Sequence, residues 1–256
     1  MRLGVVSDIH GNVVALEAVL GEAEAAKVDV WWALGDLVLF GPRPVEVLEI
    51  LAGLPGIAYV SGNTDRYTLT GAQPHPHRTP ADAVGVLDLV ERYSAMAGAI
   101  GWTRGALVQA GRLAELTTLD SEQRMELPEG SRLLGVHASP GRDDGPGISS
   151  EAAEEALAEL LAGCEAEVVV GGHTHDPTVR RVGGVLALNA GSVGVPLNPG
   201  YASWMIIEAD VDGVRAECLE SSYDAEGVVK DLYDRGYPNA AWMETNLTGR
   251  PSNASE

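Results

Sequence analysis

The sequence predicts an α/β fold organised around parallel strands, on three observations. Short apolar runs alternate with helical patterns through the first hundred residues. The runs recur at about the length of one strand–helix–strand unit, since 28 residues separate Asp8 from Asp36 and 27 separate Asp36 from Asn63. Each run also ends in a polar group able to ligate a metal. Such alternation implies parallel pairing through right-handed crossovers, which brings successive strand ends to one edge of the sheet.

In chain order, "RLGVV" (2–6) reads as a buried strand, and "NVVALEAVLGEAEAAK" (12–27) as a helix with Val13, Leu16 and Leu20 at helical spacing. "DVWWAL" (29–34) is strand, "PVEVLEILAGL" (44–54) is helix with Pro44 in its first turn, and "GIAYV" (56–60) is the third strand. The rhythm then breaks. Residues from about 66 to 130 read as a helical insertion, with a Pro-rich loop, "TGAQPHPHRTP" (70–80), and a long helix from about Ala81 to Val108. "GSRLLGVHASPG" (130–141) is a strand entering a loop, and "GRDDGPG" (141–147) is loop. "SSEAAEEALAELLAG" (149–163) reads as a helix capped by Ser149 or Ser150. "PTVRRV", "VLALNAGSVG" and "ASWMIIEADVDGVRAECLE" read as antiparallel strands, the last a hairpin turning at "DVDG". Helices at about 224–236 and 239–247 complete a single domain over 1–247, and the polar tail 248–256 is expected to be disordered.

Composition narrows the function classes. The chain has 256 residues, 45% apolar and 21% charged, which suits one globular domain rather than a disordered chain. Its 17 Lys and Arg against 37 Asp and Glu give a net charge of −20, which argues against tight binding along a nucleic-acid backbone. A small phosphate ligand stays compatible, because bound cations reverse the local sign. Cys164 and Cys218 are too few for a disulfide framework and read as small buried residues. No secretory pattern and no apolar run of membrane-spanning length is visible, so a cytoplasmic protein without membrane association is expected.

The polar strand ends carry the chemistry. "VVSDIHGN" supplies Asp8 and His10, "WALGDL" supplies Asp36, and "YVSGNTD" supplies Asn63 and Asp65. "LLGVHASP" supplies His137, and "VVVGGHTHD" supplies His173 and His175. Residues i and i+2 of an extended backbone point the same way, so Asp8 with His10, and His173 with His175, each read as a pair aimed at one point. Singly these signals are weak; five strand-end sites carrying seven nitrogen and oxygen ligands in order point to a metal site. The chain has no G-x-S-x-G elbow and no G-x-x-x-x-G-K-[ST] loop, and neither cysteine adjoins these strand ends.

In this order, D-x-H, G-D, G-N-x-D, H and G-H-T-H resemble the calcineurin-like metallophosphoesterase superfamily. The fuller stretches "SDIHGNVVALEAVL", "GDLVLFGPRPVEVL", "GNTD", "VHASPG", "GHTHDP" and "NAGSVG" look like its bacterial YfcE-type phosphoesterases, over about residues 1–210. The resemblance implies a four-layer sandwich, two packed mixed β-sheets flanked by helices. It implies two divalent ions, one held by Asp8, His10 and His175, the other by Asn63, His137 and His173, with Asp36 bridging them. Imidazole, carboxylate and amide ligands suit Mn, Fe, Zn, Co or Ni, with Mn the first expectation. The implied reaction is hydrolysis of a phosphate mono- or diester by a hydroxide bridging the two ions, with Asp36, Asn63, His137 and Asp65 as the catalytic set. A small phosphate ester or nucleotide, or a phosphoprotein, is the implied substrate, and the strand edges and tryptophans permit a homodimer. The competing expectation is a catalytically weak scaffold, since a retromer subunit of the same fold uses its surface to hold protein partners.

Three positions depart from the family pattern. Thr64 follows Gly62-Asn63 where many relatives carry a His implicated in serving the leaving group; "HASP" replaces "HGSP", and "NAGS" replaces "NPGS". His75 and His77 could substitute if their loop covers the site, and otherwise belong to a solvated loop. Asp65 is expected to orient His10 or another ligand, and Asn12 to cap the first helix or touch phosphate. Arg43, Arg66 and Arg142 follow motifs closely and could reach a substrate oxygen or lie in solvent; Trp31 and Trp32 read as core or interface.

Overall fold

The computed structural model describes residues 1–74 and 87–251. The chain opens with β1 (Arg2–Val6), α1 (Val13–Ala26), β2 (Val30–Leu34), α2 (Pro44–Ala52) and β3 (Ala58–Val60). Next come α3 (Asn63–Thr70), α4 (Leu87–Gln109), a 3₁₀ turn (Leu113–Thr118), β4 (Gln123–Glu126), β5 (Arg132–Gly135), α5 (Glu154–Leu160) and β6 (Val168–Gly171). The chain continues through β7 (Thr178–Val182), β8 (Val185–Asn189), β9 (Tyr201–Asp210), β10 (Gly213–Ser222), α6 (Ala225–Asp234) and α7 (Ala240–Thr248).

The strands form two five-stranded mixed sheets, in the orders β10-β9-β1-β2-β3 and β4-β5-β6-β8-β7. In the first sheet β1, β2 and β3 run parallel and β9 returns antiparallel beside β1; in the second β5, β6 and β8 run parallel. Alternating side chains sort the layers. Leu3, Val5, Trp32 and Leu34 of the first sheet pack against Leu133, Val168, Val170 and Leu188 of the second, forming the core between the sheets. Trp31, Ala33, Trp204 and Ile206 face the other way, against Leu16 and Val19 of α1 and Val47 and Leu51 of α2. Leu134, Val169 and Ala187 cover the far face of the second sheet beneath Leu161 and Ile148. This is the expected four-layer sandwich, and adjacent Trp31 and Trp32 are core residues of two different layers because strand side chains alternate.

The structure corrects several boundaries. The helical insertion ends in β4, which pairs antiparallel with β5, so its last residues belong to the second sheet. A short helix, α3, begins at Asn63 itself. The helix expected over 149–163 is only Glu154–Leu160, with Ala153 at its N-cap. Ser149 and Ser150 serve a different purpose, since both hydroxyls and the Ser150 N–H donate to Asp176 Oδ2 at 2.7–2.8 Å. The start of the long helix expected from Ala81, His75 and His77, and the end of the polar tail lie outside the described residues. Among the described residues no helix is long and apolar enough to cross a membrane.

Candidate metal centre

Each expected ligand lies just beyond a strand: Asp8 after β1, Asp36 after β2, Asn63 after β3, His137 after β5 and His173 after β6. The two sheets therefore present their carboxyl ends to one point. Their backbones are strained there. Among the described residues nine non-glycine residues have positive φ, and five of them are Asp8, His10, Asp36, His173 and His175, at φ 50–66°. A side chain in the left-handed region costs about 1–3 kcal/mol and persists only where the surroundings fix it. The i, i+2 pairs converge through these turns rather than through extended backbone. Two glycines permit the close approach: a Cβ on Gly62 would collide with the Asp36 carboxylate, and one on Gly172 with Ser7 Oγ and Asp8.

All seven residues come together. Asp8 Oδ1 lies 3.1 Å from His175 Nε2, and His175 Nε2 lies 3.4 Å from His10 Nε2. Asn63 Oδ1 lies 3.0 Å from both His137 Nε2 and His173 Nδ1. Asp36 joins the two halves, with Oδ1 3.4 Å from His137 Nε2 and Oδ2 3.9 Å from His10 Nε2. Asp8, His10, Asp36 and His137 are at most 3% exposed.

Each of the four imidazoles at the site is locked by its second nitrogen. Nδ1 of His10, His137 and His175 meets the carbonyls of Leu39, Leu34 and Val195 at 2.9, 2.7 and 2.7 Å; Nε2 of His173 meets that of Gly145 at 3.0 Å. A ring nitrogen facing a carbonyl must carry the proton, so the other nitrogen of each neutral ring presents a lone pair inward. Lone pairs of His10 and His175, and of His137, His173 and Asn63, then face one another across 3.0–3.4 Å. Asp8 Oδ1, fully buried, accepts no hydrogen bond among the described residues. Such a set repels itself unless cations or protons sit within it, and its donors fit divalent metal ions. Turned over, the Asn63 amide would donate to the His173 ring and, whenever His137 is neutral, to the His137 ring as well.

Charge in the metal-free pocket follows the same logic. Burial pushes Asp8 up, but His175, His137 and His10 together outweigh burial and hold the carboxyl below its usual range. Burial likewise opposes ionisation of Asp36, and the adjacent His137 lowers it. His137 is pulled down by burial yet raised to about 10 by Asp36, and His175 is raised by Asp8 against the same burial. Burial holds His10 down at about 4, and burial with the charge of His137 lowers His173. Each half thus sets an imidazole raised in pKa beside a lowered carboxylate, favouring positive charge where a cation would stand.

The supporting contacts revise several expectations. Asp65 does not touch His10: its Oδ1 accepts from the Leu37 N–H at 2.9 Å and its Oδ2 from the Gly62 N–H at 3.0 Å, fixing the backbone on either side of Asp36 and the Asn63 turn. Burial and the Asp36 charge raise its carboxyl to about 7. Asn12 is fully buried with its amide committed to the fold; Oδ1 accepts from Ala15 N–H as a helix cap, and Nδ2 donates to the Gly194 carbonyl. Arg43 pairs with Asp231. Arg66 grips Asp143 through Nε at 2.5 Å and Nη2 at 2.9 Å, and reaches Asp144. Arg142 is exposed and lines a separate cleft with Ser61 and Ser121.

Sequence reasoning missed other supports. Ser7 Oγ donates to Asp8 Oδ2 at 2.6 Å, beside the His173 N–H at 2.9 Å. Asn189 Nδ2 donates to the carbonyls of Ile148 and Gly172, bracing the turn that carries both C-terminal histidines. Ser192 Oγ donates to the Asp8 carbonyl. Adjacency to Asp8 and the ends of strands were the available signals for Ser7 and Asn189. Above the ligands a cavity of about 240 Å³ is lined by Thr64, Tyr67, Phe40 and Trp242 together with His10, His173 and His175. The Thr64 N–H donates to Asp36 Oδ1 at 2.8 Å, while its buried hydroxyl has no partner among the described residues.

Residues 1–212 match the model of the calcineurin-like phosphoesterase superfamily domain. The chain belongs to that superfamily. It is 28% identical over 263 residues to an uncharacterized protein of Methanocaldococcus jannaschii, covering 96% of each chain. A metallophosphoesterase from Sphaerobacter thermophilus superposes with a TM-score of 0.70 at 28% identity, over 96% of this chain and 98% of that one. A hypothetical protein from Pyrococcus horikoshii shares the fold with a TM-score of 0.79 at 19% identity, over 96% and 97%. The family makes this chain a phosphoesterase, and its candidate ligands are assembled in one place.

Proposed function

We propose that the chain is a dinuclear-metal-dependent hydrolase of a small phosphate mono- or diester, and the inward convergence of four imidazole lone pairs, two carboxylates and one amide carries that reading. Asp8, His10 and His175 would hold one ion, Asn63, His137 and His173 the other, and Asp36 would span both. Two divalent ions, Mn by first choice, supply Lewis acidity toward water and a phosphoryl oxygen. The chain supplies position. Carbonyls fix the four ring orientations, Asp65 fixes the backbone flanking Asp36, and the Thr64 N–H fixes the Asp36 carboxylate. The Thr64 hydroxyl is buried without a partner among the described residues, and a hydroxyl is a poor proton source near neutral pH. Turnover should therefore favour alcohols that leave without strong protonation.

A small ester or nucleotide substrate, a cytoplasmic setting without membrane or tight nucleic-acid binding, and a possible homodimer complete the proposal; a phosphoprotein remains a possible substrate. Thr64 is the feature that favours the scaffold reading. Metal analysis of the purified protein, with turnover of p-nitrophenyl phosphate under excess Mn, separates the two. Retained metal with turnover is expected; a chain that keeps no metal and turns over nothing is a scaffold.

A further inference from the structure

We infer that the cleft above the metal centre is built to receive an aromatic ring carried on the alcohol portion of the substrate, against Phe40, Met96 and Trp242, an inference that rests on the phosphoesterase reading. The 240 Å³ cavity over the ligands shares Phe40, Pro74, Met96 and Trp242 with an outer cavity of about 620 Å³, so the two form one cleft running from the metal ligands to the surface. Its inner end is polar, and its outer wall is mostly apolar, with Glu91, Arg92 and Asn239 also lining it.

Phe40 is the sole phenylalanine of the chain, and its backbone is held at φ 89°, a conformation a bulky side chain adopts only when its surroundings fix it. The preceding Leu39 carbonyl receives His10 Nδ1, so the residue that locks a metal ligand also sets the Phe40 ring. That ring lies 5.2 Å from the His10 ring at 50° and 5.2 Å from the Trp242 ring at 52°. His10, Phe40 and Trp242 thus form a continuous tilted series leading outward from the metal site. Trp242 is 42% exposed, whereas Trp31, Trp32 and Trp204 are at most 4% exposed. Its indole is left half-open where it lines the cleft. At the inner end, Thr64 is 4% exposed and lines the same cavity, and its buried hydroxyl has no partner among the described residues. A ligand satisfying both ends carries phosphate oxygens beside Thr64 and the metal ligands, and a planar apolar group one linker away. Tilted and offset contacts are the arrangement aromatic rings prefer with one another, which favours a ring over an alkyl chain.

The test uses the full chain loaded with Mn and compares benzyl phosphate with ethyl phosphate, whose alcohols leave with similar difficulty, so that the kcat/KM ratio reports the ring. A ratio of about tenfold or more in favour of benzyl phosphate is expected, the size one well-packed ring contributes. Trp242→Ala should lower that ratio at least about fivefold and Trp242→Phe should restore it, because the ring and not the bulk is recognised. Adenosine 5′-monophosphate distinguishes the sources of the ring: turnover with the same Trp242 dependence identifies a nucleobase, and turnover of benzyl phosphate alone identifies a simpler aryl alcohol. A wild-type ratio near one, or a ratio that Trp242→Ala does not move, overturns the ring site alone. No turnover of either ester or of p-nitrophenyl phosphate overturns the phosphoesterase reading and the ring site with it.

Discussion

The floor of the cleft and its wall are built by different means. The floor consists of strand ends: five β-strands from two sheets deliver Asp8, Asp36, Asn63, His137 and His173, each within three residues of its strand. The wall comes from Phe40 in the loop after β2, from Met96 on α4 and from Trp242 on α7, the last two placed by helix packing. On the floor Asp8, Asp36 and His137 are buried, both histidines are tautomer-locked, and Asp8, Asp36 and His173 are held in left-handed backbone; Met96 and Trp242 sit on helical backbone and are partly open. A position set by sheet edges tolerates little displacement, so chemistry belongs on the floor. A position set by helix surfaces can change with one side chain, so selectivity belongs on the wall.

Five outcomes test this contrast, from the largest effect to the smallest. Asp36→Ala should lower kcat/KM by more than about a hundredfold, beyond the usual effect of losing an outer-shell partner, with the circular dichroism spectrum retained. Asp36 reaches both halves of the site, so an enzyme that keeps near-normal turnover would end its bridging role. Metal removal comes next. Chelation should abolish turnover, and adding Mn at about a hundred times its dissociation constant should stabilise the fold by about 2.7 kcal/mol, raising Tm by roughly 5–10 °C. A Tm indifferent to Mn would mean that the cluster binds no ion.

Protons should compete with the ion in a direction the site dictates. His137 is raised to about 10 in the metal-free site, so at neutral pH it must lose a proton before it can ligate, whereas His10, at about 4, has none to lose. Apparent Mn affinity should therefore rise with pH across the range 6 to 9, by up to about tenfold per unit for each proton displaced. Titrations showing a flat profile or the opposite slope would contradict that assignment.

Two arginines separate floor from periphery. Arg66 holds Asp143 beside Gly145, whose carbonyl locks His173, so Arg66→Ala should weaken Mn binding by roughly tenfold, at the mild end of outer-shell effects. Unchanged metal affinity would show that the 141–145 loop holds itself. Arg43→Ala removes a partly exposed pair with Asp231 and should cost less than about 1 kcal/mol in urea unfolding, leaving kcat/KM within about twofold. A larger loss of activity would bring Arg43 back to the substrate.

Much of the floor could be read from the chain because strand periodicity and unit length force it. Asp8, Asp36 and Asn63 are spaced by one strand–helix–strand unit, and parallel crossovers leave such ends no alternative but a shared edge. Supporting contacts were less legible. Asp65 was visible as an acid near the ligands, but its partners, the N–H groups of Leu37 and Gly62, have no side-chain signature. Ser149 and Ser150 look like caps because serine before an acidic helical run usually is one; a partner 26 or 27 residues away, Asp176, takes them instead.

The sequence by itself determined the α/β class, the parallel pairing of the first three strands and the set of seven candidate ligands, because these depend on local periodicity and on side-chain chemistry. Tertiary structure alone decided which way each imidazole turns, since that rests on carbonyls of Leu34, Leu39, Gly145 and Val195, which the sequence does not distinguish from any others. It alone decided that Phe40, Met96 and Trp242 meet, because side chains some two hundred residues apart become neighbours only when helices pack against the finished sheets.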